Sequence, residues 1–173
     1  MTHTTGRPVR RTVFLLAAAA AAVLLALPPS PARADAPISA ADLNCSITFT
    51  VHINPGISAQ KRQPQHIALS SRGLTGTATC TGTVDGQQVT GAGRFGLSEA
   101  DIADCVLATG HGTFVLQIPT TGGIATLAGK FTSVGNVLSG DLTGTGQVLG
   151  TEGDCFTTPL TSVTVIDTVH VGR

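Results

Sequence analysis

Residues 43–53 read LNCSITFTVHI, and apolar and polar side chains alternate along the whole stretch. Successive side chains of a β-strand point to opposite faces of the sheet, so this alternation predicts a strand with one buried face. Residues 74–84, LTGTATCTGTV, repeat the pattern with a threonine at every second position. An Asp-Gly pair at 85–86 suits a type I′ turn, after which residues 87–95 are expected to form the next strand.

The remainder of the chain predicts more strands and no long helix. Strands are expected at 66–70, 106–118, 125–133, 137–149 and 161–171, with at most one or two helical turns between 97 and 105. Because the connections are short, strands that are neighbours in sequence should be neighbours in the sheet. The predicted fold is therefore all-β, with seven or eight antiparallel strands in an up-and-down barrel or a β-sandwich.

A glycine motif, T-G-x-G-x-F, occurs at residues 90–95 and 109–114, and again at 143–148 with valine in place of phenylalanine. Glycines two apart lie on one face of a strand and leave it bare, which permits a bend or a close approach of another group. The aromatic residue that follows is expected to fill the space on the same face. Recurrence of the motif in several strands favours a closed barrel over a sandwich.

Residues 91–96, GAGRFG, also match the G-x-G-x-x-G spacing of dinucleotide-binding loops. Such a loop joins a strand to a helix in a βαβ unit, and the helix N-terminus meets the pyrophosphate. The chain after Gly96 leaves no room for that helix before the next predicted strand. We therefore expect no cofactor and assign these glycines to the sheet.

The N-terminus has the three parts of a secretory signal peptide. Arginines precede an uncharged apolar run at 12–27, and small residues stand before a predicted cleavage site after Ala34. The run is shorter than the roughly 20 residues that a membrane-spanning helix needs. We expect a signal peptide at 1–34, a short tail at 35–42, one domain at 43–173 and an extracellular product. A paired arginine in the signal leaves both Sec and twin-arginine export open.

Cleavage at that site leaves 139 residues with six basic and ten acidic side chains, a net charge of −4 with histidine neutral. A mildly acidic surface repels phosphate backbones, so nucleic acid is not an expected partner. The chain has neither tryptophan nor tyrosine, which argues against the exposed aromatic platforms that bind carbohydrate. No membrane association is expected after removal of the signal, and the composition identifies no partner.

The four cysteines, an even number in an exported chain, predict two disulfides. Cys45 and Cys80 lie on the apolar phase of alternating strands, so their side chains should meet inside the sheet. Cys105 and Cys155 each follow an aspartate at the junction of a loop and a strand. Because partners need Cα atoms about 5.5 Å apart, the predicted bonds are Cys45–Cys80 and Cys105–Cys155, the second clamping two loop ends on one rim.

No arrangement of catalytic or metal-binding residues is recognisable in the predicted domain. Its histidines have no spacing typical of a metal site, and no serine lies in a G-x-S-x-G motif. Asp167 is in phase with the apolar residues Val163, Val165 and Val169, which would bury it. We expect instead a bulge that shifts the strand at this point. The histidines of the domain are His52, His66, His111 and His170.

Three stretches resemble the small secreted β-domain proteins of actinomycetes, a group without an assigned function: TGTATCTGTVDGQQVTGAGRF, ATGHGTFVLQIPTTGG and GDCFTTPLTSVTV. This resemblance implies no activity. The composition is also similar to that of the neocarzinostatin-type apoproteins, which are secreted β-sandwiches with two disulfides. Their disulfide loops are short, whereas the cysteines here are 35, 25 and 50 residues apart, so their ligand is not carried over.

The expected function is that of a disulfide-stabilised, non-enzymatic extracellular domain with a structural or binding role. One alternative is a carrier that holds a small apolar molecule in the barrel. The other is a protease inhibitor, for which residues 54–65 are the long loop available.

The secreted protein is expected to begin at Asp35, because the small residue Ala34 ends the signal. N-terminal sequencing of the protein from the culture medium measures this directly. A secreted chain that begins before Leu27 would contradict the predicted signal peptide.

Overall fold

The computed structural model describes residues 40–172, and strands make up most of this part of the chain. The predicted signal peptide 1–34 and most of the predicted tail 35–42 lie outside the described residues. Residues 40–172 contain no helix that is long and apolar enough to cross a membrane. The ten strands are β1 (Ala41–Ile57), β2 (Gln65–Ser70), β3 (Gly76–Val84), β4 (Gln87–Gln88), β5 (Gly93–Ala103), β6 (Ala108–Thr120), β7 (Gly123–Val134), β8 (Val137–Gly140), β9 (Leu142–Glu152) and β10 (Leu160–Gly172).

All ten strands belong to one antiparallel sheet that closes on itself. β1 pairs with β10 along one edge, from Asp42 opposite Gly172 to His52 opposite Ser162. Its other edge pairs with β3 over residues 41–48 and with β2 over residues 52–54. β2 and β3 therefore occupy one strand position, and the ring has eight positions that follow the chain up and down. The prediction of an all-β, antiparallel up-and-down fold is confirmed.

The alternation in β1 directs its apolar side chains into the ring. Leu43 and Ile47 are fully buried, and Phe49 lies with its ring centroid 5.1 Å from that of Phe95. Phe95 in turn stacks on Phe114 at 6.1 Å. These aromatic rings fill part of the interior. The expectation that the phenylalanine of each motif fills the space above its own glycines is wrong: the ring of Phe131 on β7 lies over Gly112, and Phe114 lies over Gly129, which is outside the motif.

Two segments differ from the predicted strands. Residues 97–103, expected to contain helical turns, belong to β5, which pairs with β2 on one side and with β6 on the other. Hydrogen-bonding neighbours on both edges outweigh the weak local preference for a turn. The predicted strand 137–149 is broken at Asp141 into β8 and β9, and Val148 is 63% exposed rather than buried. A register shift between Thr164 and Val165, opposite this part of β9, accompanies that exposure.

Both disulfides join the predicted partners. Cys45 and Cys80 are directly opposite on β1 and β3, with Cα atoms 4.1 Å apart. Cys105 and Cys155 join the loop after β5 to the loop after β9, with Cα atoms 5.7 Å apart. The first bond lies inside the ring, and the second ties two loops at one end of it.

Replacing Phe95 with alanine is expected to lower the free energy of unfolding by about 3–5 kcal/mol, because the ring is fully buried between two others. Val148→Ala serves as the matched control, and its effect is expected to stay within about 0.5 kcal/mol because that side chain is largely exposed. Denaturant unfolding with the disulfides intact measures both. Equal losses in the two variants would contradict the assignment of the core.

Candidate functional site

Exposed apolar side chains are concentrated at one end of the ring. Of the nine large apolar residues that are exposed within residues 40–172, eight lie there, on the end of β5, the loops after β5 and β9, the β7–β8 turn and the last part of β9. Only Ile124, at the β6–β7 turn, lies at the other end. We call this set the apolar rim: Ile102, Val106, Leu107, Val134, Val137, Val148, Leu149 and Phe156.

Two aspartates hold the loops of the rim in shape. A carboxylate oxygen of Asp104 accepts hydrogen bonds from the backbone N–H groups of Val106 and Leu107, at 2.7 and 2.8 Å. Asp154 accepts in the same way from Phe156 and Thr157, at 3.0 and 2.7 Å. Each aspartate thus caps a tight loop, and the residue two positions after the aspartate is apolar and exposed. Val106 is 89% exposed and Phe156 is 62% exposed.

The bond between Cys105 and Cys155 fixes the two capped loops to each other. The carbonyl of Cys155 also accepts a hydrogen bond from the N–H of Ala59, at 2.8 Å, which attaches the neighbouring loop 58–64. Leu107 approaches the β7–β8 turn, where the N–H of Gly135 donates to the carbonyl of Ala108 at 2.8 Å. The rim is therefore a preformed surface rather than a set of independent loops.

Hydrogen bonds donated by these loops lower the pKa of both capping aspartates. For Asp104 the largest cause is the N–H of Leu107, followed by that of Val106. For Asp154 the pKa falls first through the hydroxyl of Thr157 and then through the N–H of Thr158. Both carboxylates stay ionised in mildly acidic solution and border the apolar tips with negative charge.

Three acidic side chains lie inside the ring, below the rim. Asp101 and Asp167 are only 6% and 5% exposed, and Glu99 is half-buried. Glu99 accepts a hydrogen bond from the hydroxyl of Ser133. One carboxylate oxygen of Asp101, by contrast, is buried without a hydrogen-bond partner among the described residues.

Burial is the largest cause that raises the pKa of Asp101 from its ordinary value of 3.8 to about 7, and the charge and hydrogen bond of Glu99 add to it. Burial likewise raises the pKa of Asp167 to about 6, with a further contribution from the charge of Glu99. The expected bulge at Asp167 is wrong: β10 keeps its register with β1 through this residue, which lies opposite Ile47.

Glycines of the recurrent motif make room for these carboxyl groups. Gly110 lies opposite Asp101, and a Cβ at that position would collide with the Asp101 carboxylate. Gly146 lies opposite Asp167, and a Cβ at position 146 would likewise collide with the Asp167 carboxyl group. The second and third copies of the motif therefore accept an acidic side chain from the facing strand, a use that the glycine spacing alone does not reveal.

An open groove of about 850 Å³ lies on the wall formed by β2 and by β5 to β8. Its ionisable lining residues are Glu99, His111 and Lys130. His111 and His66 are exposed, and His170 approaches Asp42 at 3.9 Å. Within residues 40–172 no group of three or more His, Cys, Asp or Glu side chains is arranged to hold a metal ion.

Comparisons with protein-family models, with curated proteins and with solved structures found no match to this chain. The alternation of β10 contained the signal for Asp167, because its phase with Val165 and Val169 is unbroken. Asp101 was not recognised because its segment was interpreted as helical turns.

Replacing Asp101 or Asp167 with asparagine is expected to stabilise the domain at pH 8 by roughly 1–3 kcal/mol. The pKa of each carboxyl group is higher in the folded state than in the unfolded chain. Below about pH 4 the carboxyl group is protonated in both the folded and the unfolded chain, so burying it costs no ionisation free energy. This cost grows as the pH rises toward the folded-state pKa and is constant above that pKa. The stabilisation by asparagine should therefore be much smaller at pH 4.5 than at pH 8.

Denaturant unfolding at pH 4.5 and pH 8 measures this difference. Asp85→Asn, in the exposed turn between β3 and β4, controls for the loss of one negative charge. A gain for Asp101→Asn that is the same at both pH values would contradict the assignment of a buried, protonated carboxyl group.

Proposed function

We propose that this protein is a secreted, non-enzymatic binding domain that recognises a partner protein through the apolar rim. The observation that carries the proposal is the concentration of exposed apolar side chains at the end where a disulfide and two capping aspartates hold the loops. Soluble domains rarely expose clustered apolar surface unless it binds something. Loops that are already fixed lose little conformational entropy on binding, which favours affinity.

The charges around the tips indicate the chemistry of the partner. Asp104 and Asp154 lie directly before the loop tips Val106 and Phe156, and their lowered pKa keeps them ionised. A complementary surface has an apolar cleft for the tips and basic side chains beside it. The basic pair at 61–62 of this protein belongs to the neighbouring loop 58–64 and would repel basic residues of the partner. The basic residues of the partner are therefore expected beside the two aspartates and away from this loop.

The filled interior supports a binding surface over the carrier alternative. Phe95, Phe114 and Leu116 are buried to 1% exposure or less in the space that a carried molecule would need. The loop considered for protease inhibition is shorter than expected, because β1 extends to Ile57. What remains, residues 58–64, folds back on itself through a hydrogen bond from the Gln63 amide to the Ser58 carbonyl at 2.6 Å.

The burial of the acidic groups supports a non-enzymatic role. A molecule in the outer groove would meet Glu99, whereas Asp101 and Asp167 are enclosed. Two disulfides in a domain of this size suit an oxidising, extracellular environment, which agrees with the proposed secretion.

The test is photo-crosslinking in cultures of the native producer, with a crosslinking amino acid at position 106 or 156 of the full chain. A control protein carries it at position 79, which is exposed on β3 outside the rim. Positions 106 and 156 are expected to yield one shared protein adduct that position 79 does not. Adducts that are the same at all three positions would contradict the proposal.

The double variant V106S/F156S is expected to weaken binding of that partner at least tenfold, about 1.4 kcal/mol, because a few apolar residues at the centre of an interface contribute most of its binding energy. Thr79→Ser is the matched control and should leave the affinity unchanged. Titration calorimetry with the purified partner measures both. Unchanged affinity in the double variant would refute recognition through the rim.

A further inference from the structure

The two disulfides lie in different surroundings. Cys45 and Cys80 belong to the ladder that pairs residues 41–48 of β1 with β3, and they are 4% and 7% exposed. Cys105 lies in the loop after β5 and is half-buried, whereas its partner Cys155 is 3% exposed. We call the Cys105–Cys155 disulfide the rim bond. Cys105 is the cysteine that solvent reaches most readily, so a thiol in solution has better access to the rim bond than to the other disulfide.

The backbone of Cys155 favours opening of the rim bond. Its φ is +69°, in the left-handed region that is unfavourable for a residue with a side chain. The disulfide helps to hold it there, together with hydrogen bonds of its N–H to the Thr158 carbonyl and of its carbonyl to the Ala59 N–H. Opening the rim bond removes the covalent constraint. Strained or exposed disulfides are reduced more easily than unstrained, buried ones.

The rim bond is also the covalent link between the two capped loops. Within residues 40–172, no backbone hydrogen bond joins residues 104–107 to residues 153–159. Each loop has its own capping aspartate and keeps its turn when the link is broken, but the tips Val106 and Phe156 lose their fixed relation. The pairing of β1 with β10 does not involve either loop, so the ring stays closed.

We propose that the rim bond is a redox switch: a dithiol reductant opens it before the Cys45–Cys80 bond, and its opening weakens partner binding by separating the two tips. The effect on binding rests on the proposed function. A thiolate of the reductant attacks the Sγ atom of Cys105, forms a mixed disulfide and releases the Cys155 thiolate. The second thiol of the reductant then displaces Cys105. Two electrons and two protons pass to the protein, which gains two thiols, and the reductant becomes a disulfide.

The oxidised rim is expected to be the binding form. With the bond closed, the two loops are already ordered when the partner arrives. With the bond open, binding must order them, and the lost conformational entropy lowers the affinity. An oxidising extracellular environment keeps the bond closed, so the switch acts where a reductant is present.

The first test is partial reduction of the folded, secreted chain with increasing dithiothreitol, followed by alkylation of free thiols and peptide mapping. Cys105 and Cys155 are expected to become alkylated at a roughly tenfold lower reductant concentration than Cys45 and Cys80. Circular dichroism at that concentration should still be that of a β-sheet, because the strands remain paired. Opening of the Cys45–Cys80 bond first, or of both bonds together, would overturn the proposal.

Hydrogen exchange of single amides, followed by NMR, measures the release of the loops. After selective reduction, the Ala59 amide is expected to exchange about tenfold faster or more, because its acceptor is the carbonyl of Cys155. The Thr90 amide, which donates to the Pro119 carbonyl at 2.9 Å at the other end of the ring, is the control and should keep its rate. An unchanged rate at Ala59 with the rim bond open would contradict the release of the loops.

Two variants measure the effect on binding. C105S/C155S represents the open rim without a reductant, and C45S/C80S is the matched control that retains the rim bond. C105S/C155S is expected to bind the rim partner at least tenfold more weakly than wild type, with no further change on addition of dithiothreitol. C45S/C80S is expected to bind like the oxidised wild type. If a variant does not fold, wild type that is selectively reduced and alkylated at Cys105 and Cys155 replaces it.

Failure of the switch and failure of the proposed function give different results. If the oxidised wild type binds no partner, the proposed function is wrong, and peptide mapping and the Ala59 amide still decide whether the rim bond opens selectively and frees the loops. If the oxidised and open forms bind the partner equally well, the switch is refuted while recognition through the rim stands.

Discussion

Pairing of β1 with β10 is the interaction on which the other features depend. It joins the first strand of the domain to the last over twelve residue pairs and converts a meander into a closed ring. Closure gives every strand position a solvent face and an enclosed face. Side chains on the enclosed face, whether apolar or acidic, are removed from water. Without this pairing, Asp167 would lie near an open sheet edge, and its carboxyl group would ionise at an ordinary pH.

The enclosed face contains two apolar regions together with buried acidic groups. The larger region includes Phe95 and Phe114, and the smaller one, which includes Ile57 and Ala103, lies toward the rim. Keeping carboxyl groups in such a place is unfavourable, because burial opposes their ionisation. The glycines of β6 and β9 reduce the steric part of that cost, and the raised pKa values of Asp101 and Asp167 reduce the electrostatic part by favouring the neutral form. The covalent bond at the rim holds the end of the ring where apolar packing is less complete.

The ring is incompletely closed at β8, which pairs with each of its neighbours over only a few residues. β8 is four residues long, because Gly140 has a φ of +119° and the chain turns there before β9 begins. A full-length strand at this position would cover both neighbours. The short strand instead leaves the lower part of β7 without a neighbour in the described chain.

Local patterns predicted much of the fold. The alternation in residues 43–53 and 74–84 was sufficient to assign faces, and with them the pairing of Cys45 with Cys80, because side-chain direction in a strand depends on the chain itself. The pairing of Cys105 with Cys155 followed instead from their matching positions, each after an aspartate at the junction of a loop and a strand. The segment 97–105 was wrongly assigned because its residues have no strong preference, and two neighbouring strands decided their conformation. At Asp167 the pattern was correct and the expected bulge was wrong, since an isolated strand offers no reason to bury a carboxylate.

The sequence by itself determined the class of fold, the buried and exposed faces of each strongly alternating strand, and the presence of two disulfides. These depend on periods of a few residues and on cysteine chemistry, both of which are local. Only the tertiary structure decided that Asp101 and Asp167 lie opposite glycines, that eight exposed apolar side chains gather at one end, and that, within residues 40–172, β8 covers β7 only over residues 131–134. Those features depend on which strands become neighbours and in what register, and contacts between residues far apart in the chain set both.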